Sequence, residues 1–281
     1  TKPLCTGACE TASFTQYMGG AQCWALEKGY DSMSDLNRGY ARPVPVDHAD
    51  MSVDTGLRSF MLGVYNKVAL GLLLSAALAF LTSSFPPVRD LMFRVVEGRL
   101  VGMTILGMIV SFAPLAVILF SSFALRNPTE KSAGITYWTI VSLMGASLGV
   151  VMLVYTGASV VSTFLITSAA FGALSLVGYT TKKDLTAMGS FLIMGLIGIM
   201  LASIVNIFLK SSAMAFMVNV LGVLIFSGLI AYDTQRLKMS YYEMGGDKAA
   251  MGVATNFGAL SLYLNFINLF QFLLSLLGDR R

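Results

Sequence analysis

From residue 59 onward, apolar residues run in long blocks broken only by short polar clusters. Seven blocks have the length of a membrane-crossing helix, over about 59–82, 101–122, 134–155, 158–179, 189–209, 213–235 and 253–277. A helix needs roughly 20 mostly apolar residues to cross a hydrocarbon core of about 30 Å. Inside that core the segment must also satisfy its own backbone hydrogen bonds. The pattern predicts an all-α membrane protein with seven transmembrane helices, its membrane domain covering 51–281. The third and fourth blocks are separated only by "TGAS", and the sixth fades into "AYDTQRLK", so six spans is the other count that these boundaries allow.

Residues 1–50 break the pattern. They are rich in Gly, Ser, Thr and charged residues, include "ARPVPVDHAD", and show neither helical nor strand periodicity, which predicts a polar, flexible N-terminal head. The head has no apolar core of the kind a secretory signal needs, and its acidic residues argue against a transit peptide. Cys5, Cys9 and Cys23 all fall here, as does His48, the only histidine. The cysteine spacing fits zinc ligation poorly, so reduced thiols are expected, with a disulfide or redox role as the other reading.

Composition supports the membrane assignment: 56% of residues are hydrophobic and 12% charged, and the mean hydropathy is +0.72. A seven-helix zinc hydrolase needs several His or carboxylate ligands inside the bundle, and the blocks hold no such set. A retinal protein needs a lysine in its last span, and none is there. The net charge of +4 suits loops lying against anionic lipid headgroups. The lipid bilayer is therefore the expected partner, and nucleic acid is not. Basic residues near the spans, among them Lys182, Lys183, Arg236 and Lys238, favour a cytoplasmic N-terminus by a small margin.

Polar residues within apolar blocks are the candidates for function, because a charge at mid-bilayer costs at least about 2.5 kcal/mol. Lys67 lies two turns into the first block and reads as an anchor that snorkels to the interface. Pro114 removes a backbone donor from the second. Asp233 follows the apolar run "VLGVLIFSGLIAY" and has two readings. It pairs with Arg236 or Lys238 on the next turn at the membrane surface, or the helix continues past it and it becomes a partly buried group that exchanges a proton near physiological pH. In the last block Gly258, Ser261, Asn265 and Asn268 recur at spacings of three and four, so they share one helix face. A narrow polar stripe on an otherwise oily helix places that helix against another polar surface, either as interhelical glue or as a permeation or sensing site.

"AYDTQRLK" at 231–238, "LSLYLNFINLF" at 260–270 and "TKKDL" at 181–185 together resemble the Bax inhibitor family of seven-span membrane proteins. "YARPVPVDHADMSVDTGLRSFMLGVYN" is similar to the N-terminal approach of its proteobacterial members; residues 1–35 have no counterpart in the likeness. The resemblance implies a bundle with the last helix at its centre and a pH-sensitive calcium leak gated by two proton-sharing aspartates, one in each of the last two helices. Asp233 matches the first position, and Asn265 stands at the second. The family's acid-base contact from the second span has no match, since residues 101–122 hold no ionisable group.

Three function classes follow. The first is a cation leak, with calcium as the transported ion, Asp233 and Asn265 as the ion pathway and pH-sensing pair, and Ser261, Asn268 and Arg236 as supporting polar residues. The second is a scaffold that binds other membrane complexes, such as quality-control proteases or respiratory assemblies. An intramembrane enzyme is disfavoured, because one carboxylate stands where an aspartyl mechanism needs two. No cofactor is expected. The resemblance places the chain in a bacterial inner membrane, with the mitochondrial inner membrane as second choice.

Overall fold

The computed structural model describes residues 55–96, 99–124 and 128–280. The head with its cysteines and His48 lies outside the described residues. Helix α1 (Thr55–Ser84) is followed by a short helix α2 (Pro86–Met92) and an antiparallel hairpin of β1 (Phe93–Val96) and β2 (Arg99–Met103). Then come α3 (Ile105–Ala124), α4 (Glu130–Ser147), α5 (Gly149–Val154), α6 (Gly157–Thr180), α7 (Thr186–Leu209), α8 (Ser212–Glu243) and α9 (Lys248–Leu277).

Short polar residues set the helix starts by accepting otherwise orphaned backbone N–H groups. Thr129 caps α4 in a reciprocal box with Ser132, Thr156 accepts from the Ser159 amide at the start of α6, and Asp247 accepts from Ala249 and Ala250 at the start of α9. Thr156 is where "TGAS" divides two spans, so a separator of this length suffices. The chain reverses between α8 and α9 at Gly245 (φ 56°) and Gly246 (φ 91°), in the left-handed region that glycine enters freely.

Among the described residues six helical segments are long and apolar enough to cross a membrane: α1, α4 continued by α5, α6, α7, α8 and α9. A shorter apolar stretch, Ile105–Ser121, lies within α3. The membrane-spanning all-α architecture is therefore present, but the second apolar block does not begin as helix. Its first residues pair in the hairpin, and Thr104 then turns the chain: its Oγ1 donates to Leu91 O at 2.6 Å and accepts from Gly107 N at 3.1 Å. A run of apolar residues cannot by itself distinguish such a strand from a helical turn.

Helix α9 packs against α8, α1, α4 and α6. Leu57 and Val64 of α1, Tyr137 and Ile140 of α4, and Leu262 and Tyr263 of α9 are fully buried in the main core. Phe164 and Phe171 of α6 meet Phe266 of α9 edge-on at 5.6 and 5.5 Å between ring centroids, a favoured aromatic geometry. Close helix approach relies on missing side chains at two crossings. A methyl group at Gly145 of α4 would lie 2.6 Å from the Ser75 backbone of α1, and one at Gly178 of α6 would strike the Ala231 carbonyl of α8. Outward faces of α6 and α7 expose Val161, Leu165, Ile193 and Phe208, as a lipid-facing surface requires.

Candidate functional site

Helix α8 does not end at the apolar run. It continues to Glu243, which carries Asp233 into the protein interior rather than to a helix end. Asp233 is 8% exposed, and its Oδ2 accepts two hydrogen bonds from α9, from Ser261 Oγ at 2.5 Å and Asn265 Nδ2 at 2.7 Å. Ser261 and Asn265 are one helical turn apart, so both reach the same oxygen. Among the described residues nothing donates to Oδ1.

Of the predicted residues, the structure thus brings Asp233, Ser261 and Asn265 together. Asn268 is half-buried and donates to Leu264 O of its own helix at 2.8 Å, outside the contact. Arg236 is exposed, and neither it nor Lys238 forms an ion pair with Asp233 among the described residues. Surface pairing with the next turn is therefore not how this carboxylate is satisfied. Lys238 is itself buried, and its Nζ donates to Tyr179 O at 3.5 Å. That carbonyl lies in the last turn of α6, the negative end of its dipole.

The motif around Asp233 also fastens a loop. Gln235 Nε2 donates to Lys183 O at 2.7 Å, and Gln235 Oε1 accepts from Leu185 N at 2.8 Å. "TKKDL" and "AYDTQRLK" are thus two sides of one contact. Within that loop, hydrogen bonds from Thr186 hold the Asp184 carboxyl below the usual carboxylate range.

Sequence reasoning missed a second polar tie. Lys67 is half-buried rather than free to snorkel, and its Nζ donates to Asn256 Oδ1 at 2.5 Å. Asn256 Nδ2 donates in turn to Gly252 O at 2.9 Å and to Glu130 O at 3.3 Å, joining α1, α4 and α9. Nearby, Ser75 Oγ and Tyr263 OH lie 2.7 Å apart. The available signal was Asn256 itself, a carboxamide in an apolar helix like Asn265, but on another face of the helix.

Residues 57–281 match the family described as inhibitor of apoptosis-promoting Bax1. The chain belongs to the Bax inhibitor family. Among its relatives, a protein of Caulobacter vibrioides is 71% identical over 249 residues, covering 89% of this chain and all of the relative. RP147 of Rickettsia prowazekii is 43% identical, covering 86% of this chain and 98% of its own. The Escherichia coli inner membrane protein YbhL is 41% identical, covering 80% and 94% respectively. This family member is therefore an integral membrane protein with bacterial relatives, and the mitochondrial alternative finds no support among them.

Proposed function

We propose that this Bax inhibitor family member is a cation leak pathway of the bacterial inner membrane, most directly for calcium. In this reading α3 is the second of seven spans, and α9 is the central helix that the other six surround. The carrying observation is the Asp233 carboxylate, buried at the α8–α9 seam, held through one oxygen by two neutral donors, with the other oxygen available to a cation or a proton. No enzymatic step and no cofactor is assigned to the site, which offers a single carboxylate.

Asn265 defines how the pathway responds to pH. Two carboxylates in contact cannot both ionise cheaply and therefore share a proton. An amide does not titrate; Asn265 has nearly the shape of a protonated aspartic acid and donates its NH2 to an ionised Asp233. The site then behaves as though permanently half protonated, with a flatter pH response than a carboxylate pair gives. The neutral Asn265 also favours a second reading, a scaffold for other membrane complexes in which the seam is purely structural.

Calcium flux into proteoliposomes over about pH 6 to 8, where paired carboxyls share protons, separates these readings. The leak predicts flux in the parent chain, its loss in Asp233→Asn, which keeps the side-chain shape, and a steeper pH response in Asn265→Asp. Absence of flux in the parent, or flux indifferent to Asp233→Asn, overturns the leak. A co-purifying membrane complex would then support the scaffold. Equal steepness in the parent and in Asn265→Asp overturns the flattened response.

A further inference from the structure

The polar stripe of α9 does not stop at the Asp233 contact. From Asn265 the carboxamides step by three residues to Asn268 and Gln271, winding about 120° around the helix, and exposure rises along these three. Asn265 is buried, Asn268 half-buried and Gln271 exposed. Six residues of helix from Asn265 to Gln271 cover only about 9 Å. At that point Gln271 lines a cavity of about 360 Å³.

The cavity wall combines four polar side chains, Ser111 of α3, Ser147 at the end of α4, Tyr155 just after α5 and Gln271 of α9, with Met103 of β2 and four further apolar residues of α5, α9 and the α4–α5 junction at Leu148. The hydroxyls of Ser111 and Ser147 donate to the Gly107 and Met144 carbonyls at 2.8 Å each, which leaves their oxygens able to accept. The same wall holds the interruption between α4 and α5 at Leu148. Around that break the side chain of Thr82 bonds Ala146 O at 3.3 Å. Beside the cavity the Arg280 guanidinium lies 5.8 Å over the Tyr155 ring, a charge that keeps its hydration at the same end.

A second cavity, of about 250 Å³ between α1, α5, α6 and α9, is lined by Leu72, Val160, Val161, Phe164, Phe266 and other apolar groups, with Ser75 at its wall. Its lining suits an acyl chain. Both linings are mostly apolar, but the first adds a carboxamide, a phenol and two hydroxyls where the second has one hydroxyl.

We infer that the first cavity is a water-filled vestibule from which Gln271 and Asn268 lead a hydrated cation to Asp233. This rests on the leak reading for its solute, but the vestibule can be tested without flux. With Cys5, Cys9 and Cys23 replaced by Ser, single substitutions Gln271→Cys, Asn268→Cys, Val161→Cys and Phe208→Cys are made in the full chain, in sealed vesicles. A charged, membrane-impermeant methanethiosulfonate reagent is supplied on both sides. Gln271→Cys and Asn268→Cys should react at least about tenfold faster than the two apolar positions, because the reactive thiolate forms in water and not in lipid.

If Gln271→Cys reacts no faster than Val161→Cys, the cavity is filled by lipid and the inference falls. Modification at 271 with none at 268 overturns the connection to Asp233. Labelling at both sites with flux indifferent to Asp233→Asn upholds the vestibule and removes the leak gate. Flux that needs Asp233 without labelling at either site upholds the leak and removes this route. Slowed flux after modification of Gln271→Cys supports both.

Discussion

Both hydrogen bonds to Asp233 come from neutral groups, and the exposed Arg236 acts on it only through space, without an ion pair. A hydrogen bond to a charged group contributes about 1.5–3 kcal/mol. Ser261→Ala and Asn265→Ala should each lower unfolding free energy in detergent by about that amount. Asn268→Ala, which removes a bond to its own helix backbone, should cost nearer 0.6 kcal/mol, about the average for polar contacts in membrane helices. Equal losses at 265 and 268 would show that the Asp233 contact carries no special weight. The stripe of Ser261 and Asn265 was legible from spacing alone, because a three-and-four repeat fixes a helix face. What that face meets is legible only through the family resemblance and not through spacing: Asp233 lies at the edge of an apolar block, and its depth depends on how far α8 continues.

That continuation is a property of the element. Hydropathy averages over a window, and "AYDTQRLKMSYYE" has too many polar residues to score as membrane-buried. The helix persists because Asp233, Gln235 and Lys238 find partners on α9, the 181–185 loop and α6. A hydropathy profile reads polar groups buried in the interior as surface, and so Lys238 groups with the loop charges in the sequence. The hairpin was lost for the converse reason, since its strands share the apolar composition of a span. The α6–α8 crossing supplies a direct test of packing. Gly178→Ala places a methyl group against the Ala231 carbonyl, and the helices must separate to admit it. Overpacking of this kind costs about 1–3 kcal/mol. Gly157→Ala, where nothing lies within 4 Å of the added carbon, is the matched control. Comparable melting temperatures for the two variants in detergent would show that the crossing is not tight.

Across the whole molecule, polar contacts join helices that the chain order keeps apart. Lys67 and Asn256 are 189 residues apart in sequence, and Ser75 and Tyr263 are 188 apart. Helices α1 and α9 are thus tied in register by hydrogen bonds in a setting where lipid and protein interior are equally apolar, so packing and polar contacts carry the association. Removing one partner leaves the other buried group unpaired, whereas replacing both by apolar groups of similar shape can be nearly neutral. Asn256→Leu should therefore destabilise the bundle by about 1–3 kcal/mol by stranding Lys67, with Lys67→Met similar or smaller. The double variant should recover at least about 1 kcal/mol relative to the sum of the single losses, as expected for residues in direct contact. Unfolding in mixed micelles measures all three. Additive losses would mean that Lys67 finds water or lipid headgroups when Asn256 is gone, and that α1 is held by its apolar face alone.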